Sequence, residues 1–198
     1  MTGAVAPESG RRERTKAANR AAILEAALEV FGELGYDAAG VRDIVRRTGL
    51  ASGTFYNYFP DKAAVLGAVV EGTAAEARRR VRRARTEAGS PRAFAEAGFR
   101  AYFDFLAEDA ATRAFLRRNV ALLRAEGLEH VLPLGVEELR EDLEALAVPG
   151  LDADYCATAM VAVAIELGVR MAEHEPPDVE GATRFATSLF AGVLSPRP

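Results

Sequence analysis

The chain is poor in the residue types on which most catalytic and metal chemistry rests. Of its 198 residues one is a cysteine, Cys156, which excludes an internal disulfide and a thiolate zinc cluster and fits a small buried helix residue in a reducing compartment. The two histidines, His130 and His174, lie far apart, with no His-x-x-x-His or Glu-x-x-His spacing. There is no Gly-x-Ser-x-Gly elbow and no glycine loop that would cradle a phosphate. Nothing therefore assembles a nucleophile with its base, and neither a catalytic centre, a metal site nor a cofactor is expected. No run of eighteen apolar residues exists, and the polar, Arg-rich start lacks an apolar core segment of the secretory kind. A cytoplasmic protein without a membrane partner follows as the expectation.

What is present is helix. No alternating strand pattern occurs, and 49% hydrophobic residues suffice for a sizeable core. Periodicity and proline or glycine punctuation predict helices over about Lys16 to Leu34, Lys62 to Ala88, Pro91 to Ala107, Asp109 to Arg124, Pro133 to Leu146, Asp152 to Glu173 and Asp178 to Leu194. Between the first two of these stands the most informative stretch, Gly35 to Lys62. Val41, Ile44 and Val45 give a short helix one apolar face, Thr48-Gly49 ends it, and Leu50 plugs the turn. A second short helix, about Ser52 to Tyr58, turns Phe55 and Phe59 inward and leaves Thr54, Tyr56, Asn57 and Tyr58 to present hydroxyl and amide groups. That is the pattern of a helix-turn-helix reader of DNA, with side chains suited to base edges and phosphate oxygens.

The same residues resemble the TetR family of bacterial transcriptional regulators, in the run Gly49, Gly53-Thr54-Phe55-Tyr56-Asn57-Tyr58-Phe59 and Lys62, and in the Ile-Leu-x-Ala-Ala-x-x-x-Phe-x-x-x-Gly-Tyr pattern from Ile23 to Tyr36. The specific likeness covers roughly Lys16 to Leu66. Two positions depart from it: Gly40 stands where the family usually caps the second helix with Ser or Thr, and Ala51-Ser52 where it often has Ser then Lys. The resemblance implies an all-α fold, with a flexible basic arm over 1–15, a helix-turn-helix domain over 16–62 and an effector-binding and dimerisation bundle over 63–198. It implies a homodimer on double-stranded operator DNA, more readily a repressor than an activator, released from a palindromic site by a small apolar ligand. A helical-bundle enzyme and a ligand-independent architectural DNA binder are the alternatives.

For DNA contact the candidates are Arg42, Ser52, Thr54, Tyr56, Asn57, Tyr58 and Lys62. The family pattern places a phosphate contact at Lys62, and a cation at a helix N-terminus, where the macrodipole disfavours it, itself asks for a bound phosphate; a solvated lysine is the plain alternative. For Arg42 the resemblance suggests reach to a guanine edge, with a phosphate contact or surface pairing as the alternative. Ser52 can also cap its own helix.

Net charge is -4, but residues 1–62 hold nine basic against eight acidic side chains and residues 63–198 sixteen against twenty-one. Arg11, Arg12, Arg14, Lys16 and Arg20 cluster at the start, fit to track phosphates or to solubilise an unstructured tail. Arg78, Arg79, Arg80, Arg82, Arg83 and Arg85 form a second run, about 24 Å along its helix from Lys62. That distance argues against DNA and for a solvated face paired with Glu71, Glu76 or Glu87, with an anionic-ligand landing place as the minor reading.

In the second region the candidates for an effector pocket are Phe99, Tyr102, Phe103, Phe115, Asn119, Tyr155, Met160 and Glu166, with His130 a further polar group. Most apolar members at such spacing serve as core. Small residues along the next-to-last helix, Ala157, Ala164 and Gly168, with Phe185, Leu189 and Val193 on the last, suggest a two-helix surface that pairs with its symmetry mate; burial within one protomer competes with this.

Overall fold

The computed structural model describes residues 8–123, 125 and 132–195, which form helices and the short links between them. In chain order these are α1 (Glu8–Leu34), α2 (Val41–Thr48), α3 (Ser52–Tyr56), α4 (Lys62–Thr86), α5 (Pro91–Glu108), α6 (Ala110–Leu122), α7 (Leu132–Ala145), α8 (Ala153–Met171) and α9 (Val179–Phe190). Helix starts follow local chemistry. Asp61, Ser90, Asp109, Asp152 and Asp178 each accept a backbone N–H of the first turn, at 2.8 to 3.2 Å. At α2 the cap is Gly40, and its own N–H is taken by Asp43 of the first turn at 2.9 Å. Gly35 and Gly49 end α1 and α2 with φ of 81° and 67°, a backbone region in which a side chain is strained.

Two apolar cores organise these helices. In the first, Ile23, Ala27, Val30 and Phe31 of α1 meet Ile44 and Val45 of α2, Phe55 of α3, Phe59, and Val65, Val69 and Val70 of α4. Burial of each large side chain here is worth about 1.5 to 3 kcal/mol, which fixes the orientation of α2 and α3 on α1. The second gathers Ala77 of α4 with Phe94, Phe99, Phe103, Phe105 and Leu106 of α5, Leu139 and Leu143 of α7, Met160 of α8 and Phe190 of α9. Helix α4 thus takes part in both. So does α6 in effect: Phe115 sits in the first core while Leu116 packs on either side.

One expectation changes at the start of the chain. The basic arm predicted to be flexible over 1–15 is helical from Glu8 onward, because α1 extends about two turns further than its apolar face requires. Arginine and glutamate are good helix formers, and the Arg14 and Thr15 side chains bond back to the Gly10 and Arg11 carbonyls. Met1 to Pro7 lie outside the described residues.

Candidate nucleic-acid interface and interior cavity

The α2–α3 unit presents a polar face held from behind. Phe55 and Phe59 are buried, their rings 6.2 Å apart, and Phe55 meets Tyr56 edge-on at 5.3 Å. On the outer side Arg42, Ser52, Tyr56 and Asn57 are exposed and Thr54 half-exposed; Tyr56 keeps 57% of its surface in solvent. A large aromatic phenol so exposed, anchored at its base by Phe55, is a ready contact for a backbone or a base. Ser52 does not cap α3. Ala51 occupies the cap position and Ser52 the first helical one, which leaves its hydroxyl on the outer face.

Tyr58 is half-buried and its hydroxyl accepts from the Asn19 side chain at 3.2 Å. This joins the end of the reader to α1. Because α1 is helical this far back, Arg11, Arg12, Thr15 and Lys16 line a shallow groove together with Tyr58. Arg20 lies over the Phe59 ring at 5.2 Å. The basic residues are therefore placed by helix geometry beside the polar face rather than by a free tail.

Lys62, read from sequence as a phosphate contact, is held by an internal tie. Its ammonium donates to the Tyr36 carbonyl at 2.6 Å and the Ala39 carbonyl at 2.9 Å, and stands 4.2 Å from the centre of the Tyr36 ring. These acceptors explain a cation at a helix N-terminus without a ligand. Lys62 fixes the link between α1 and α2 to the head of α4. Arg47 braces the same unit from outside, paired with Glu29 at 3.0 Å and with Glu33.

A cavity of about 210 Å³ opens among α4, α5, α6, α7 and α8. Phe99, Tyr102, Phe115 and Met160, all predicted from sequence, line it. Burial also raises the Tyr102 phenol above its usual range, so it stays a neutral hydroxyl. The other four candidates lie elsewhere. Phe103 is fully buried, packed on Phe99 with ring centres 6.2 Å apart. Asn119 faces the opposite way: its amide donates to the Phe31 carbonyl at 2.9 Å and the Phe115 carbonyl at 2.8 Å, and its oxygen accepts from the Tyr36 N–H at 2.8 Å. Tyr155 is 77% exposed and Glu166 is exposed, because both fall on the outer face of α8. His130 lies outside the described residues.

The polar wall of this cavity comes from the arginine run whose minor reading from sequence was a landing place for an anionic ligand, and from two carboxylates that the sequence did not single out. Arg78, Arg82 and Arg85 of α4 turn toward it, with Glu138 and Asp142 of α7 alongside. Only part of the arginine run is the solvated face expected: Arg79 and Arg80 pair with Glu76, and Arg80 also with Glu108 at 2.6 Å. The spacing 78, 82, 85 is that of one helical face, the available signal.

The close-packed seam predicted at Ala157, Ala164 and Gly168 belongs to the protomer's interior. Ala157 is fully buried in the second core, Ala164 lines the cavity, and a Cβ on Gly168 would stand 2.7 Å from Leu106 and 3.0 Å from Tyr102 of α5. Phe185 and Leu189 of α9 and Val193, which lies in the turn beyond that helix rather than on it, are by contrast 54%, 49% and 50% exposed. On α8 Tyr155, Ala159 and Ala162 are exposed at helical spacing. Adjacent helices therefore both leave apolar residues uncovered. Among the described residues no helix is long and apolar enough to cross a membrane, and no cluster of three metal-ligating side chains occurs.

Residues 23–69 match the model of the bacterial regulatory proteins of the tetR family. YvdT of Bacillus subtilis, an uncharacterised HTH-type transcriptional regulator, is 51% identical over 49 residues, 25% of either chain. The HTH-type transcriptional regulator RutR of Escherichia coli is 33% identical over 70 residues, 35% of this chain and 33% of its own. Matches to these curated relatives thus span about a quarter to a third of their length. The solved structure of the fatty acid degradation regulator FadR from Bacillus halodurans superposes with a TM-score of 0.72 at 24% identity, over 90% of this chain and 97% of that one. A TetR-family transcriptional regulator from Pectobacterium atrosepticum gives 0.71 at 23% identity, over 93% and 98%. These likenesses establish the fold over about nine-tenths of the chain.

Proposed function

Because residues 23–69 match the model of the tetR family of bacterial regulatory proteins, we propose that the chain is a DNA-binding transcriptional regulator, a homodimeric repressor that leaves a palindromic operator when a small hydrophobic molecule enters the cavity. The observation that carries this reading is a single connected body. A polar outer face on α2 and α3 is tied by Lys62 to α4, and α4 walls the cavity further along its length.

The outer face supplies base and phosphate contacts. Arg42, Ser52, Thr54, Tyr56 and Asn57 are free to meet base edges and the backbone, while Arg11, Arg12 and Lys16 add sequence-independent attraction beside Tyr58. The exposed apolar faces of α8 and α9 take the same faces of a second copy, with Phe185, Leu189 and Val193 at the centre. A two-fold dimer presents two α3 helices, which must sit roughly 34 Å apart to enter successive major grooves.

Control follows from packing. Leu116 and Val120 of α6 line the cavity, and Asn119 on the same helix clamps the C-terminal end of α1. A ligand that shifts α6 or tilts α4 moves the reader as a rigid piece and alters the spacing between the two half-sites. A coupling of about 1 to 3 kcal/mol changes operator affinity roughly 5- to 150-fold. An architectural DNA binder without a ligand leaves a cavity of this size without a role. Footprinting with and without a cavity ligand tests the proposal, which expects one discrete two-fold symmetric site that the ligand vacates.

A further inference from the structure

Three arginines of α4 line the cavity against two carboxylates of α7, leaving one positive charge over. Both pairings are loose. Arg78 Nε stands 3.7 Å from Glu138 and Arg85 Nη1 stands 3.7 Å from Asp142, longer than a hydrogen bond. Arg85 is the deep one: 13% of its side chain is exposed, its guanidinium lies 5.2 Å from the Phe94 ring centre, and its Nε–H has no hydrogen-bond partner. Gly98 makes the space for it, since a Cβ there would stand 2.7 Å from Arg85 Nε and 3.3 Å from Nη2. Burial draws the Arg85 pKa down to about 10, so it stays charged at neutral pH yet poorly solvated. A buried guanidinium with a donor unused is a costly group to keep for structure alone.

The geometry points to an anionic effector: a hydrophobic carboxylate whose head meets the Nη end of the Arg85 guanidinium, the Nε–Nη2 edge being packed on Gly98, and whose hydrocarbon body lies against Phe99, Leu106, Phe115 and Met160. Arg78 and the exposed Arg82 add positive potential on the same helical face, and Asp142 competes with the ligand for Arg85. This rests on the cavity being the effector site, and it adds the charge of the occupant.

Calorimetry of the full-length protein with decanoate, decan-1-ol and decylamine, which share one chain and differ in the head group, tests it without DNA. Decanoate is expected to bind at least about 10-fold more tightly than decan-1-ol, as hydrogen bonds to a charged group allow. Arg85→Met should weaken decanoate about 10- to 100-fold and leave decan-1-ol within about two-fold. Asp142→Asn, which keeps the guanidinium and removes its competitor, should tighten decanoate; it decides the matter together with the wild-type comparison if Arg85→Met does not fold. Equal affinity for acid and alcohol, or a preference for decylamine, overturns the anionic inference and leaves the effector site standing. Binding of none of the three overturns the inference and the effector reading together, while DNA binding is measured separately.

Discussion

The side-chain amide of Asn119 on α6 donates to the main-chain carbonyl of Phe31 on α1 at 2.9 Å, across 88 positions of sequence. The Asn119 oxygen takes the Tyr36 N–H just beyond the end of α1, so one buried residue grips that end twice. Gly32 permits the close approach: a Cβ there would stand 3.1 Å from the Phe115 backbone nitrogen. Asn119→Leu keeps the volume and removes the grip. It should lower unfolding stability by about 1 to 3 kcal/mol, read from the urea midpoint. If the cavity acts through α6, the same variant should also bind operator with a smaller response to ligand than the wild type.

Lys62→Met should behave as a folding variant. It leaves the Tyr36 and Ala39 carbonyls without the ammonium and removes its interaction with the Tyr36 ring, so a loss of about 1.5 to 3 kcal/mol is expected. The slope of log affinity against log salt should stay within a few tenths of the wild type. A slope reduced by the equivalent of a full phosphate per protomer would restore Lys62 to the DNA surface.

The DNA face divides into two classes of effect. Lys16→Ala should reduce the salt slope by about 0.9 for each phosphate that the lysine no longer neutralises, and weaken all sequences alike. Arg42→Ala should instead relax preference at one position of each half-site, at about 1 to 3 kcal/mol. Binding competitions among single-base operator variants separate them.

At the dimer face, Leu189→Arg or Phe185→Arg places a charge where an apolar surface is to be covered. Sedimentation should show helical monomers that bind the palindrome weakly. Ala157→Arg makes a contrasting control, because that position is buried inside the protomer and the variant should lose stability rather than dimerisation.

Much of this was written locally in the chain. Asp61, Ser90, Asp109, Asp152 and Asp178 mark helix starts, and Gly35 and Gly49 mark ends, because capping and left-handed backbone depend on near neighbours alone. The inward turn of Phe55 and Phe59 follows from helical spacing in the same way. What was not legible depends on which face meets which partner. Small residues such as Ala157 and Gly168 signal close helix packing but not whether the neighbour is α5 of the same protomer or a second copy. Arg85 carries the composition of a solvated face, and only the presence of α5 and α7 around it turns that face inward. Lys62 and Asn119 find their partners 26 and 88 positions away, a relation that no local pattern encodes.

The central claim is that the α2–α3 face reads DNA as a two-fold pair. In vitro selection from random duplex DNA with the full-length protein, repeated with Tyr56→Ala, tests it most directly. An enriched palindrome with half-sites about one helical turn apart is expected, lost or strongly weakened in the variant, whose exposed phenol carries little of the core. Recovery of no motif, or of the same motif at the same strength with Tyr56→Ala, would contradict it.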